Sequence, residues 1–378
     1  NRVTHLRGAF RADGTLIGLD FDQLEDCGAF LRAPEPAPLY RMHGNMTGAY
    51  QVANLAIRNR VVVTNKTPTG LNRGFGGPQV YFALERLMDR AAEQLSFDPF
   101  ELRLRNLVPG EAMPYRSAPG ALLDSGNYAQ STRRAMRDGG LERLRARRAE
   151  ARAQGRLYGI GCAAVVEPSI SNMGYITALL TPEQRERSGA KNGALATATV
   201  SVDPSGSVSV HAASIPQGQG HRTVLAQVVA DVLGLHPTDI VVVMDHDTGK
   251  DSWSIASGNY SSRFAGVVAG AAHKAALTLR ERIAIIAAGD LNTPPADLEF
   301  VGGSVRSKAN PDNTVALGRT AAKAHWSPLS IPSQAGGGLR ETATWSLPEL
   351  TEPDMDDRVN SSGAYGFIFD FCGVEICP

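Results

Sequence analysis

Three glycine-containing loops hold the residue types and spacings best suited to chemistry. In the first, Gly70–Gln79 (GLNRGFGGPQ), Arg73 stands among glycines. Glycine lets a backbone approach a ligand closely while a guanidinium points at it. The same string also describes a tight turn carrying a surface arginine. The second loop, Pro216–Thr223 (PQGQGHRT), lies between a strand pattern and a helix pattern. Free N–H groups at a helix start, glycines and two glutamine amides suit a polar cofactor. It departs from the dinucleotide fingerprint, because His221-Arg222-Thr223 follows Gly218-Gln219-Gly220. The third loop, Ser254–Arg263 (SIASGNYSSR), leads into a long helix. It reads either as a phosphate or pyrophosphate site or as a plain cap by Ser261 or Ser262. Two such helix-start loops in one domain favour a dinucleotide-sized ligand.

The common hydrolase, metalloprotease and phosphate-loop signatures are absent. Asp245-His246-Asp247 has metal-ligating side chains, but neighbours on a strand point to opposite faces, so only the two aspartates share a side. Cys372 and Cys377 lack the second pair that a zinc site needs.

Elements that must position these loops are readable from periodicity. Residues 6–24 predict a hairpin turning at Asp13-Gly14, and Val61–Thr64 a buried strand. Val80, Leu84, Leu87, Met88, Ala91 and Leu95 fall at helical spacing, and Asp98-Pro99 starts a further helix. Residues 139–156 carry six arginines and predict a solvated helix bridging two domains. In the second half, strands are expected over 158–166, 196–202, 207–213, 240–244 and 362–371, and helices over 221–234 and 262–288. Mixed strands and helices with hairpins give an α+β, or mixed α/β, class.

Composition sets outer limits. The 378 residues suggest two domains. Lys+Arg and Asp+Glu each number 38, so no overall basic field exists to hold nucleic acid. No apolar run reaches the roughly 18 residues of a membrane span, and four scattered cysteines suit a reducing, cytoplasmic setting.

Together the motifs resemble the xanthine dehydrogenase/aldehyde oxidase family. Thr64-Asn65 followed by Asn72–Gln79 is similar to that family's Arg-Gly-Phe-Gly-Gly-Pro-Gln loop. Asp98–Arg103 with Arg105-Asn106-Leu107 resembles the helix after it. Gln217–His221 with Thr223 and Gln227, and Gly258–Arg263, resemble loops of the family's aerobic carbon monoxide dehydrogenase large subunits.

The resemblance implies a molybdopterin-binding large subunit, with molybdenum carried on the cofactor in its cytosine dinucleotide form and no metal ligated directly by protein. It implies hydroxylation of an N-heterocycle or aldehyde with oxygen from water. Electrons would leave through [2Fe-2S] clusters and FAD on partner subunits, in a dimer of heterotrimers. By the same resemblance Arg73 orients substrate or stabilises its developing charge. Gly74, Phe75, Gly76, Gln217, Gly218, Gln219, Gly220, Ser257, Gly258, Asn259, Ser261, Ser262 and Arg263 hold the cofactor. Phe75, Glu167, Met173 and Tyr175 line the substrate pocket. Residues 1–110 would be the C-terminal part of a first cofactor-binding domain, 111–156 a linker with a charged helix, and 157–378 a second domain incomplete at its C-terminus. The family's catalytic Glu is expected to lie beyond this stretch. Gly74 stands where carbon monoxide dehydrogenases place a copper-ligating cysteine, so CO oxidation is not expected. The competing reading is a non-catalytic scaffold that binds a nucleotide or partner subunits without redox chemistry.

Overall fold

Alternation of side chains sets the first sheet. Strand Arg2–Phe10 alternates half-buried and exposed residues and pairs antiparallel with Leu16–Asp26 through the turn containing Gly14. Strand Asn54–Val62 then adds parallel to Leu16–Asp26. It begins seven residues before the predicted one; Val61 and Val62 form its half-buried end, and Val63 lies beyond it, exposed. The alternating stretch Asn54–Arg60 has few strong β formers, which is why the valines dominated the sequence signal.

The computed structural model describes residues 2–32, 35–188, 195–245, 247–249 and 259–377. They form two compact units, discontinuous in sequence. Unit 1 takes residues 1–169, 173–192 and 349–378, and unit 2 takes 170–172 and 193–348.

In unit 1, helix Gly77–Leu95 packs its Val80, Leu84 and Met88 face into a core with Phe21, Met42 and Tyr50. Helix Pro99–Asn106 follows, its first turn capped by the Asp98 side chain, which accepts from the N–H groups of Phe100 and Glu101. Residues 111–156 are not a spacer. Ala121, Leu123, Tyr128 and Leu141 are core residues of unit 1. The arginine-rich helix Leu141–Ala153 lies wholly in this unit: Arg145 pairs with Asp98 at 2.8 Å, and Arg147 lies over the Tyr158 ring. Long strands Leu157–Ser171 and Ser362–Ile376 form a two-stranded sheet.

Unit 2 is built on a four-stranded sheet. Leu339–Trp345 and Val208–Ala212 each pair antiparallel with Ala196–Val202, and Ile240–Val243 joins Val208–Ala212 in parallel. Helices His221–Leu233 and Ala269–Leu291 bury Leu225, Val229, Ala272, Leu279 and Ile283. The second of these helices is entered through a π-helical turn, Phe264–Val268. A small antiparallel sheet (Leu298–Val301, Ser304–Ser307, Thr314–Ala316) and helix Leu317–Trp326 complete the unit. The α+β class is therefore observed. Among the described residues, no helix is long and apolar enough to cross a membrane.

Candidate functional site

In unit 1 the Arg73 loop is a series of tight turns. Gly74, Phe75 and Gly76 have φ of +93°, +34° and +89°. Phe75 N–H donates to the Asn72 carbonyl at 3.0 Å, and Gly77 N–H to the Gly74 carbonyl at 2.8 Å. Glycine is required at position 76, where an added Cβ would lie 1.9 Å from the Pro38 carbonyl oxygen. Phe75 is the exception among the three: a non-glycine residue with left-handed backbone, worth about 1–3 kcal/mol of strain that its surroundings must hold.

Arg41 supplies much of that holding. It is only 6% exposed, and its guanidinium donates to the carbonyls of Gly74 (3.0 Å), Phe75 (3.5 Å) and Pro168 (2.6 Å) and to Glu167 Oε1 (2.7 Å). Arg41 is absent from the expected site. Apart from the sulfur of Met42, its side-chain partners lie 33 to 127 residues away, and nothing in the local string YRMHG marks it.

The expected residues of unit 1 fall around this clamp. Arg73 is exposed, and among the described residues its guanidinium has no hydrogen-bond or ion-pair partner. Glu167 is an ion-paired carboxylate at the foot of the loop, and a Cβ on Gly77 would lie 3.2 Å from its Oε2. Tyr175 is fully buried and meets the Phe75 ring edge-on, with centroids 6.5 Å apart. It therefore backs Phe75. Met173, with φ +63°, turns the chain into the 3-10 helix Gly174–Leu179 that carries Tyr175.

In unit 2, Gln217, Gly218, Gln219 and Gly220 form an exposed loop ending at helix His221–Leu233. Gly218 and Gly220 have φ of +98° and +81°, and a Cβ on either meets no atom within 4 Å. The helix has no side-chain cap. Gln219 accepts from the Gln217 N–H through its amide oxygen, which closes the loop on itself. Behind the loop, the buried His221 ring stacks on Phe264 at 3.7 Å, and its Nδ1 lies 3.2 Å from Ser214 Oγ. Burial lowers the His221 pKa.

Of the third loop, Ser257 and Gly258 lie outside the described residues, as does His246. Ser261 and Ser262 have φ of +50° and +51°, and Asn259 is half-buried. Ser261 is tied to the strand end: its carbonyl accepts from Ile170 N–H at 2.6 Å and its Oγ from Ser171 N–H at 3.2 Å. Arg263 is turned inward and donates to the Leu195 carbonyl. Burial pulls its pKa down to about 10.

Comparison with known proteins adds a family. Residues 134–378 match the molybdopterin cofactor-binding domain family, and residues 1–107 match a further molybdopterin cofactor-binding domain. The nicotine 6-hydroxylase large subunit of Paenarthrobacter nicotinovorans is 29% identical over 98% of this chain and 45% of its own length. The carbon monoxide dehydrogenase large chain of Afipia carboxidovorans is 28% identical over 97% of this chain and 46% of its own. The structure of quinoline 2-oxidoreductase from Pseudomonas putida 86 superposes with a TM-score of 0.81 at 29% identity, covering 99% of this chain and 45% of that one. The chain thus spans less than half the length of these relatives.

The residues present fit such a cofactor. An anionic, phosphate-bearing group needs N–H donors and room for close approach. The uncapped start of helix His221–Leu233 offers the first, and the left-handed Gly218 and Gly220 with open space beside them offer the second. Site chemistry and matched families agree: the chain belongs to the molybdopterin cofactor-binding domains of the xanthine dehydrogenase family of large subunits.

Proposed function

We propose that this chain is the cofactor-binding part of a molybdenum hydroxylase that oxidises an N-heterocycle or an aldehyde. The chemistry supplied by the bound molybdopterin is a two-electron oxidation of a substrate carbon, with oxygen taken from water. Everything else falls to the protein. On unit 1, Arg73 orients the substrate and stabilises negative charge growing on its oxygen or nitrogen. One such donor is worth about 3–4 kcal/mol in a desolvated site. Gly74 and Gly76 keep that loop's backbone free of side chains, and Phe75, backed by Tyr175, presents an apolar wall with Met173 and Glu167 beside it.

On unit 2, the Gln217 and Gln219 amides hydrogen-bond the pterin's polar edge, and Gly218 and Gly220 allow backbone approach. The segment Ser257–Arg263 holds the phosphates of a dinucleotide form, and within it the buried Arg263 is anchored on the Leu195 carbonyl. Partner subunits carrying [2Fe-2S] clusters and FAD take the electrons, in a dimer of heterotrimers. The names of the relatives support this reading: hydroxylation of nicotine and oxidation of quinoline both act on N-heterocycles.

The observation that carries the proposal is the Arg73 loop, an exposed guanidinium with no ion-pair partner among the described residues, followed by three successive left-handed residues, Gly74 to Gly76. Its test is Arg73→Ala in the full-length subunit with its partners. Turnover should fall by about 10²–10³-fold with molybdenum content unchanged. Near-normal turnover would remove Arg73 from the reaction.

A further inference from the structure

We propose that Arg41 is a positioning residue for Arg73, acting through the backbone of the loop they share. The inference rests on the reading of Arg73 given above. Arg73 is exposed, so the point and the Cα–Cβ direction from which its side chain leaves are set by its own backbone and the turn that follows. That turn contains Phe75, whose φ of +34° a side chain rarely adopts. Left alone, such a residue relaxes toward negative φ and swings the loop with it.

Two contacts prevent this, and both come from one short segment. Helix Ala37–Tyr40 places the Pro38 carbonyl against Gly76 so closely that no side chain fits between them. Arg41, whose N–H closes that helix on the Ala37 carbonyl, reaches the Gly74 and Phe75 carbonyls on either side of the strained linkage. Its other guanidinium nitrogen, Nη2, is anchored on Glu167 and the Pro168 carbonyl. The planar fork thus bridges the loop to the end of strand Leu157–Ser171. Lysine, with a single compact ammonium, cannot hold all four acceptors at once.

Reach and geometry make this a matter of rate rather than of binding. A displacement of about 1 Å at a reacting group costs on the order of 10²-fold in rate. The test uses the full-length subunit produced with its partner subunits. Its first readout is hydrogen exchange at Phe75 and Gly77 in cofactor-free protein, since those amides close the turn. Arg41→Lys should speed exchange there at least about tenfold, without a matching change at Leu84 and Met88 in the buried face of helix Gly77–Leu95.

The second readout is a double-mutant cycle on dye-linked oxidation of whichever N-heterocycle or aldehyde the wild-type enzyme turns over. Arg41→Lys should lower kcat about 10–100-fold with KM changed much less. In an Arg73→Ala background the same substitution should have little further effect. Unchanged exchange at Phe75 and Gly77 overturns the inference. Equal kcat losses with and without Arg73 overturn it as well, because a general loss of structure is indifferent to Arg73. If Arg73→Ala alone is near normal, the reading of Arg73 itself has failed, and that single variant tells the two failures apart. Should Arg41→Lys fail to load molybdenum, Arg41→Gln replaces it, since the Glu167 side chain is 38% exposed and is not left as a buried unpaired ion. The same cycle then applies.

Discussion

Arg103 Nε lies 2.7 Å from Glu85 Oε2 in the interior of unit 1, and both residues are almost wholly buried. The pair joins three elements. Glu85 also accepts from Tyr50 OH at 2.7 Å and from Ala164 N–H at 3.0 Å, while Arg103 reaches Asp89 at 2.8 Å and the Pro99 carbonyl at 3.1 Å. Helix Gly77–Leu95, which starts at the Arg73 loop, is thereby locked to helix Pro99–Asn106 and strand Leu157–Ser171. Removing one partner strands a charge: Glu85→Ala or Arg103→Ala should destabilise unit 1 by about 3–5 kcal/mol. Replacing both together, as Glu85→Gln with Arg103→Met, should destabilise less than either single change. Thermal melts of the four proteins check this. A double variant worse than both singles would mean the network is worth more than its desolvation penalty.

Gly76 gives a sharper steric prediction. Its φ of +89° disfavours any side chain by about 1–2 kcal/mol, and its neighbour is a backbone oxygen that has nowhere to retreat. Gly76→Ala should lower both the melting temperature and turnover. Gly289→Ala, in helix Ala269–Leu291 with nothing within 4 Å of its added Cβ, should do neither. A wild-type melt for Gly76→Ala would mean that the loop does not sit against Pro38.

These networks show where the sequence was legible. Local chemistry was readable: the Asp98-Pro99 helix start, the hairpin at Gly14, the successive strands 196–202 and 207–213, and helix 221–234 all rest on neighbours within a few residues. Strand Asn54–Val62 was hidden because its first residues are polar and its burial comes from pairing with Leu16–Asp26 far upstream. Strand Leu339–Trp345 likewise owes its place to pairing with Ala196–Val202, far upstream in sequence. Arg41 has no local signature, since its oxygen acceptors lie on other elements, and the motif that takes in Arg103 does not show that its guanidinium pairs with Glu85 on the preceding helix. Glycine pattern shows where a ligand can approach, and it is silent on which buried arginine keeps the loop in shape.

His221 makes unit 2 sensitive to pH. Its folded pKa is lowered by burial against Phe264, so the neutral ring is the one the fold accommodates. The unfolded chain, with a pKa of about 6.5, takes up a proton first as pH falls. The stabilising contribution is therefore complete above about pH 6.5 and is lost as pH drops through the lower folded value. His221→Phe keeps a ring on Phe264 but cannot titrate. The variant should melt lower overall, because buried Ser214 Oγ loses its partner. Its melting temperature should nonetheless fall less steeply than wild type between about pH 7 and pH 5. Parallel slopes would place the pH sensitivity elsewhere.

Gly220 separates a cofactor loop from a plain turn. Because a Cβ there meets no atom within 4 Å, any side chain able to adopt φ +81° should leave the fold intact. Asparagine tolerates that conformation, whereas valine is a genuine outlier in it. Gly220→Asn should therefore keep its melting temperature yet lose molybdenum, since its side chain enters the space that the ligand needs. Gly220→Val should lose both. Gly155→Asn, at another left-handed glycine with open surroundings, is the control and should lose neither. Arg263→Glu belongs to a different class. It buries a carboxylate facing the Leu195 carbonyl, so it should lower stability as well as loading. Measured together, melts and molybdenum content distinguish the outcomes. Full loading in a folded Gly220→Asn subunit would show that the loop is a turn and that the cofactor is held by other residues.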